Sequence, residues 1–164
     1  MNFELTEDQL AFQQAARDFA AGELAPNAAD WDENKTFPVE VLKAAGEWGF
    51  MGIYCPEETG GMGLSRSDTS IIMEELARGC TSTVALISIH NMATWMLCRW
   101  GGDTLRESWT EALTSGQKLA SYCLTEPNAG SDAGSLRTLA KREGDEYVIN
   151  GGKAFISGQV PLIC

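Results

Sequence analysis

The spacing of apolar residues changes near residue 117, and this change constrains the fold more than any other feature. Up to about residue 116, apolar residues recur every three or four positions, as in amphipathic helices. The runs LASYCL, LRTLAKR, EYVIN and KAFIS then follow, which are typical of strands, with turn signals at EGDE and NGG. The sequence therefore predicts an α+β protein, with a helical domain over 1–116 and the start of a β domain over 117–164.

The helical part is predicted to hold five helices. Their expected starts are Thr6, with Gln9 at capping-box spacing, Pro38, Ser65 with Asp68, Thr81 or Ser82, and Asp103. Gly22, Gly49, Gly79 and Gly116 are the expected stops. The fourth helix is apolar on most faces, which is typical of a central helix in a bundle. Polar residues interrupt its apolar stretch, so we interpret it as a buried helix of a soluble protein rather than a membrane span.

Charge and cysteine content exclude several classes of function. The formal net charge is -11 and no basic cluster offsets it, so nucleic acid is not an expected partner. The five cysteines are widely spaced, there is no C-x-x-C, and His90 is the one histidine. A zinc site needs clustered ligands, so we predict no metal site and free thiols in a reducing compartment. The N-terminal MNFELTEDQL lacks the basic and apolar regions of a signal peptide.

The stretch SYCLTEPNAGSD, residues 121–132, is the candidate ligand loop. Small residues at 129–131 would let a ligand approach the backbone, and the hydroxyls of Thr125 and Ser131 could bind anionic or carbonyl-rich groups. It is not a G-x-G-x-x-G motif, so a dinucleotide-binding crossover is a poor fit. Turn chemistry alone favours a polar loop with no ligand.

Three titratable residues invite a catalytic interpretation, and for each a structural one is preferred. Glu126 and Asp132 have the spacing of an acid–base pair, but carboxylates in such loops commonly cap neighbouring N–H groups. His90 lies on an apolar helix, where a histidine is more often a hydrogen-bonded core or pocket residue than a ligand.

Two motifs together resemble the flavin-binding signature of the acyl-CoA dehydrogenases. These are ASYCLTEPNAGSD (120–132) and EYVINGGKAFISG (146–158), and PEETGGMGLS (56–65) and L-T-E-D-Q near the start also resemble that family. The resemblance covers roughly residues 3–158. Within the family, residues 64–96 look most like the isobutyryl-CoA dehydrogenase branch, whose substrates are short and branched.

The resemblance implies a fold and a reaction. We expect an N-terminal helical domain and the start of a β-barrel-like middle domain, which precede a C-terminal helical domain in the family. FAD is the implied cofactor, an acyl-CoA the substrate, electron-transfer flavoprotein the electron acceptor, and a homotetramer the assembly. The implied reaction is dehydrogenation between Cα and Cβ of the thioester.

The resemblance also implies which residues would contact the flavin, by their positions within the two motifs. Residues 122–131 resemble the first flavin-contacting segment: Tyr122, Cys123, Leu124, Thr125, Glu126, Pro127, Asn128, Ala129, Gly130 and Ser131. Phe155, Ile156 and Ser157 resemble the second. Thr125 would bind the isoalloxazine edge and Ser131 would also contact the substrate. Phe155 stands where the family often has tryptophan, and Ser157 where it has a hydroxyl near flavin N5.

The end of the sequence departs from the family pattern. The family's catalytic glutamate would lie downstream, so no residue here is a catalytic candidate, and QVPLIC, with Pro161, matches nothing expected. We therefore expect a truncated, inactive fragment. A non-catalytic helical module without flavin and an acyl-CoA oxidase remain as alternatives. The expected location is the cytoplasm of a bacterium or the mitochondrial matrix of a eukaryote.

Overall fold

A computed structural model describes residues 4–158 as a helical domain followed by a short hairpin. Its helices are α1 (Glu7–Phe19), α2 (Ala28–Asn34), α3 (Val39–Glu47), α4 (Arg66–Gly79), α5 (Thr81–Trp100) and α6 (Asp103–Thr114). The strands are β1 (Leu139–Glu143) and β2 (Glu146–Asn150). The α+β prediction is confirmed, and the described residues hold six α-helices rather than five.

Two predicted capping boxes fix neighbouring helix starts. The Gln9 N–H donates to Thr6 Oγ1 (3.2 Å) while the Thr6 N–H donates to Gln9 Oε1 (3.1 Å). Ser65 and Asp68 make the same reciprocal pair at the start of α4. Gln9 Nε2 also donates to Asp68 Oδ1 (2.8 Å), so the two caps bind each other. This bond aligns the starts of α1 and α4, which pack side by side.

The prediction that Gly22 ends the first helix is wrong. The chain continues as a π-helical turn over Ala20–Leu24, where Ala20 and Leu24 are buried. The seven-residue α2 was not predicted, because it buries none of its residues and so carries no apolar stripe. Gly102, rather than Asp103, is the N-cap residue of α6.

The core lies between α1, α3, α4, α5 and the loop after α3. Its buried residues are Ala16, Phe19, Ala20, Leu24, Leu42, Ala45, Phe50, Met51, Ile53, Ile72, Leu76, Val84 and Ile87. Arg17 reaches from α1 to the buried Glu75 of α4 with two hydrogen bonds, of 2.8 and 3.1 Å. This pair supplies the carboxylate with charged donors, which a buried charge requires.

Two adjacent polar residues of α5 bind the loop after α3, the end of α6 and the segment that follows α6. The Asn91 side chain accepts from the Ile53 N–H (2.7 Å) and donates to the Phe50 and Ile87 carbonyls. His90 Nε2 lies 3.0 Å from the Leu113 carbonyl, and its Nδ1 accepts from the Ala120 N–H (3.0 Å). His90 is thus the hydrogen-bonded core residue that the sequence predicted, and burial lowers its pKa to about 4.

Only two of the four predicted strands are strands in the described residues. β1 and β2 pair antiparallel from Leu139↔Asn150 to Glu143↔Glu146. Gly144, with φ of +66°, is the first central residue of their turn, as in a type II′ hairpin. The LASYCL and KAFIS runs are irregular, so the hairpin predicted at NGG is wrong: Gly151 instead packs against Thr138. Residues 159–164, with Pro161, lie outside the described residues.

Four of the five cysteines lie within the described residues, and none of these four forms a disulfide. Cys55, Cys80, Cys98 and Cys123 are free thiols, and burial raises the pKa of Cys55. Cys164 lies outside the described range. No helix within residues 4–158 has both the length and the apolar content needed to cross a membrane.

The buried imidazole makes stability depend on pH. The pKa of His90 is about 4 in the folded chain against 6.5 for the ordinary side chain, so below about pH 6.5 the unfolded chain binds the extra proton. Stability is therefore lost as the pH falls, by about 2 kcal/mol between about pH 7.5 and about pH 5. Chemical denaturation across this range measures the loss.

The control is His90→Asn, which removes the titrating group. The acid-dependent loss between about pH 7.5 and about pH 5 should shrink to a small fraction in this variant, because carboxylates titrate mainly at lower pH. Equal losses in the variant and the unaltered chain would contradict the assignment.

Candidate functional site

The TEPNAG stretch folds into a tight turn. The Glu126 N–H donates to the Ala129 carbonyl (2.9 Å), and the Ala129 N–H donates back to the Glu126 carbonyl (3.1 Å). Pro127 and Asn128 form the exposed tip, while Glu126 and Ala129 are buried. The proline, with its fixed φ, and the small alanine suit this reversal. The turn presents the next residues, Gly130 and Ser131, to solvent.

The Glu126 carboxylate is a structural anchor. It accepts from the Arg137 N–H (2.7 Å), the Thr138 N–H (2.9 Å) and Lys153 Nζ (3.0 Å). The nearby Thr138 hydroxyl, the Arg137 amide and the Lys153 ammonium lower the pKa of Glu126 to about 2. Asp132 similarly accepts from the hydroxyl of Ser135. The capping interpretation is confirmed for Glu126, which binds two backbone N–H groups, whereas the Asp132 carboxylate binds a hydroxyl and makes no side-chain cap to the N–H groups that follow it.

Hydrogen bonds bring the two predicted segments together. The Ser121 hydroxyl donates to the Ser157 carbonyl (2.6 Å), and the Ala154 N–H donates to the Thr125 carbonyl (2.9 Å). Lys153 Nζ donates to the Leu124 carbonyl (2.9 Å) as well as to Glu126. Residues 121–126 and 153–157 therefore lie alongside each other, although they are about thirty positions apart in the sequence.

Phe155 has the most unusual environment of the predicted site residues. Its side chain is 94% exposed and its φ is +56°. A positive φ is unfavourable for a bulky residue, and exposure of a phenyl ring forfeits the hydrophobic gain of burial. The backbone therefore holds an aromatic ring away from the core, where its faces are open to solvent.

The thirteen predicted residues differ in exposure. Glu126 and Ala129 are buried, and the half-exposed group is Tyr122, Leu124, Thr125, Ile156 and Ser157. The exposed group is Cys123, Pro127, Asn128, Gly130, Ser131 and Phe155. Eight of the thirteen lie in the joined stretches 121–126 and 153–157, and the other five, residues 127–131, follow directly in the tight turn and after it.

Sequence reasoning missed the residues that organise this region. Lys153 lies within the second motif, and the signal for its role was that it is the one charged residue of GGKAFISG. The bonds of His90 with Ala120 and of Ser121 with Ser157 join residues 30 and 36 positions apart, so local sequence patterns do not predict them. Within residues 4–158 no cluster of three or more histidine, cysteine or carboxylate side chains is suited to hold a metal ion.

Comparison with known proteins identifies the family. The model "Acyl-CoA dehydrogenase, N-terminal domain" matches residues 6–117, and "Acyl-CoA dehydrogenase, middle domain" matches residues 121–159. Mitochondrial isobutyryl-CoA dehydrogenase of Bos taurus is 53% identical over 154 residues, which cover 94% of this chain and 37% of the relative.

Solved structures share the fold of this chain. The electron transferring flavoprotein of Acidaminococcus fermentans matches with a TM-score of 0.90 and 33% identity, over 98% of this chain and 43% of that one. Glutaryl-CoA dehydrogenase from Mycobacterium smegmatis in complex with FADH2 matches with a TM-score of 0.88 and 27% identity, over 93% and 39%. The chain spans less than half the length of each of these three proteins. Since the two domain models match in order along the sequence, this chain belongs to the acyl-CoA dehydrogenase family.

Proposed function

We propose that this chain supplies the flavin-contacting segments of an FAD-dependent enzyme that dehydrogenates an acyl-CoA between Cα and Cβ. The observation that carries the proposal is the junction of segments 121–131 and 153–157, which presents Phe155 to solvent in a backbone conformation unfavourable for its type. Strain of this kind persists where the surrounding structure enforces it, and it clusters at ligand sites. Full-length relatives in the family are acyl-CoA dehydrogenases.

The side chains present suit a flavin. Phe155 offers a ring face for stacking, and the hydroxyls of Thr125, Ser131 and Ser157 can donate hydrogen bonds. A Cβ added at Gly130 would meet nothing within 4 Å, so a ligand has room to approach the backbone there. Bound FAD would supply the hydride acceptor, which protein side chains cannot provide.

A short or branched acyl-CoA is the proposed substrate class, in line with the 53% identity to the bovine isobutyryl-CoA dehydrogenase. Ser131 follows the turn at Glu126–Ala129 and is exposed, so its hydroxyl is the proposed contact of this chain with the substrate. Electron-transfer flavoprotein as acceptor, a homotetramer and a mitochondrial or bacterial cytoplasmic location are proposed from the family resemblance. The division into domains at residue 116 is proposed on the same ground.

None of the described carboxylates is proposed as the base. Glu126 is the one carboxylate among the proposed contact residues, but its oxygens accept three hydrogen bonds and its pKa is about 2. Such a group is a weak proton acceptor near neutral pH, where a general base needs a pKa close to the working pH. We therefore propose that the catalytic base lies outside residues 4–158.

A non-catalytic helical module is the second candidate, and exposed aromatic residues favour it. Trp48 is 47% exposed, Trp100 65% and Trp109 41%, which is unusual for large apolar side chains. Exposed aromatic rings can supply contact area for another protein. Flavin binding separates the two candidates.

Flavin retention tests the first candidate. The pure chain is incubated with FAD, free flavin is removed, and visible absorbance is recorded. We expect bound-flavin bands, and about tenfold weaker FAD binding in Phe155→Ala because a stacking contact is lost. Tyr147→Ala is the matched control, since Tyr147 is an aromatic residue of β2 that is 65% exposed. Absence of bound flavin would refute the proposal, and equal effects of the two variants would refute the role of Phe155.

Lys153→Met tests whether FAD binding needs the hydrogen bonds that join residues 121–126 to residues 153–157. The variant keeps most of the side-chain length but loses the donor to Leu124 and Glu126, so the two segments should separate and FAD binding should weaken by about tenfold. Lys141→Met is the control, because Lys141 pairs with Glu143 on the exposed hairpin. Fluorescence titration with FAD measures both variants. Unchanged affinity in Lys153→Met would show that the junction does not shape the site.

Turnover tests the assignment of the base. We expect the 164 residues alone to show no oxidation of isobutyryl-CoA with an artificial electron acceptor, since Glu126, the one carboxylate among the proposed contact residues, accepts three hydrogen bonds and has its pKa lowered to about 2. Clear turnover by the pure chain would contradict this, and Glu126→Gln would then show whether that carboxylate had been misjudged.

A further inference from the structure

His90 connects the helical domain to the proposed flavin-contacting segment. It is 2% exposed on α5, its Nδ1 accepts from the Ala120 N–H at 3.0 Å, and its Nε2 lies 3.0 Å from the Leu113 carbonyl. Resting on the proposed function, we propose that His90 is a positioning residue that sets the place of the loop 121–131 through its bond to Ala120.

The two partners assign the ring nitrogens different roles. An amide N–H can only donate, so Nδ1 must be the acceptor, and a carbonyl can only accept, so Nε2 must carry the hydrogen. The neutral ring with hydrogen on Nε2 is therefore the form that satisfies both contacts. Thr94 Oγ1, 3.2 Å from Nε2, supports the ring from the next turn of α5.

The hydrogen bond between His90 and Ala120 lies next to the proposed flavin-contacting segment. Ser121 is the next residue, and its hydroxyl bonds the Ser157 carbonyl of the second segment. The cavity lined by His90, Ala120, Ser121 and Ser157 is about 10 Å³, which is at the lower limit for one water molecule. Solvent therefore has little room to replace the imidazole as acceptor, and a lost bond should displace Ala120 and the loop that follows.

Two isosteric variants separate this role from general support of the fold. The side-chain oxygen of Asn in His90→Asn can lie near the place of Nδ1 and keep the acceptor for Ala120. Gln in His90→Gln extends toward the place of Nε2, so it keeps the contact with Leu113 and loses that acceptor. Thermal unfolding of both variants of the whole chain shows how much fold stability each has lost.

Amide hydrogen exchange and FAD titration give the decisive readouts. We expect exchange at Ala120 to be about tenfold faster in His90→Gln, and FAD binding about tenfold weaker, while His90→Asn stays within about twofold of the unaltered chain. Ala120→Pro removes the same hydrogen bond by deleting the donor, and it serves if His90→Gln does not fold. Proline has no amide to exchange at position 120, so the readout for this variant is FAD binding, which should be about tenfold weaker.

Equal behaviour of His90→Asn and His90→Gln, with Ala120→Pro without effect, would overturn the inference. Failure of the proposed function is distinguishable, because exchange needs no flavin. If the unaltered chain binds no FAD but exchange at Ala120 still separates the variants, the positioning role stands and the flavin assignment fails.

Discussion

The adjacent buried residues His90 and Asn91 of α5 fix the course of the loop after α3 and of the segment that follows α6. Asn91 satisfies backbone groups of Phe50 and Ile53, and His90 satisfies Leu113 and Ala120. A buried amide or carbonyl without a partner costs about 1–3 kcal/mol, so these loops have few alternative paths. The candidate site starts one residue after Ala120, and its place relative to the helices follows from this constraint.

The site itself depends on two charged side chains, Glu126 and Lys153, that each have several hydrogen-bond partners. Glu126 and Lys153 form an ion pair whose remaining bonds go to backbone groups of Leu124, Arg137 and Thr138, so neither charge is left with a single partner. This network makes the TEPNAG turn rigid and attaches the second motif to it. Rigid support of this kind allows Phe155 to keep a positive φ and an exposed ring, which a loose loop would relax.

Local chemistry predicted much of the fold and less of the site. The boxes at Thr6 and Ser65 and the turn at Gly144 depend on neighbouring residues, so the sequence is sufficient to find them. The runs LASYCL and KAFIS, expected to be strands, are irregular in the structure. A strand needs a pairing partner, and these runs are instead held by bonds between residues distant in sequence, such as His90 with Ala120 and Lys153 with Leu124. The two motifs predicted which residues gather, but not the bonds that join them.

Hydrogen exchange of the chain with and without FAD would show whether the two joined segments bind flavin together, because it locates the ligand as well as detecting it. We predict that FAD slows amide exchange in residues 121–131 and 153–157 together, while the exchange rates in the turn of the β1–β2 hairpin do not change. Protection confined to one segment, or found only among the helices, would contradict the claim that the joined motifs form one flavin-contacting surface.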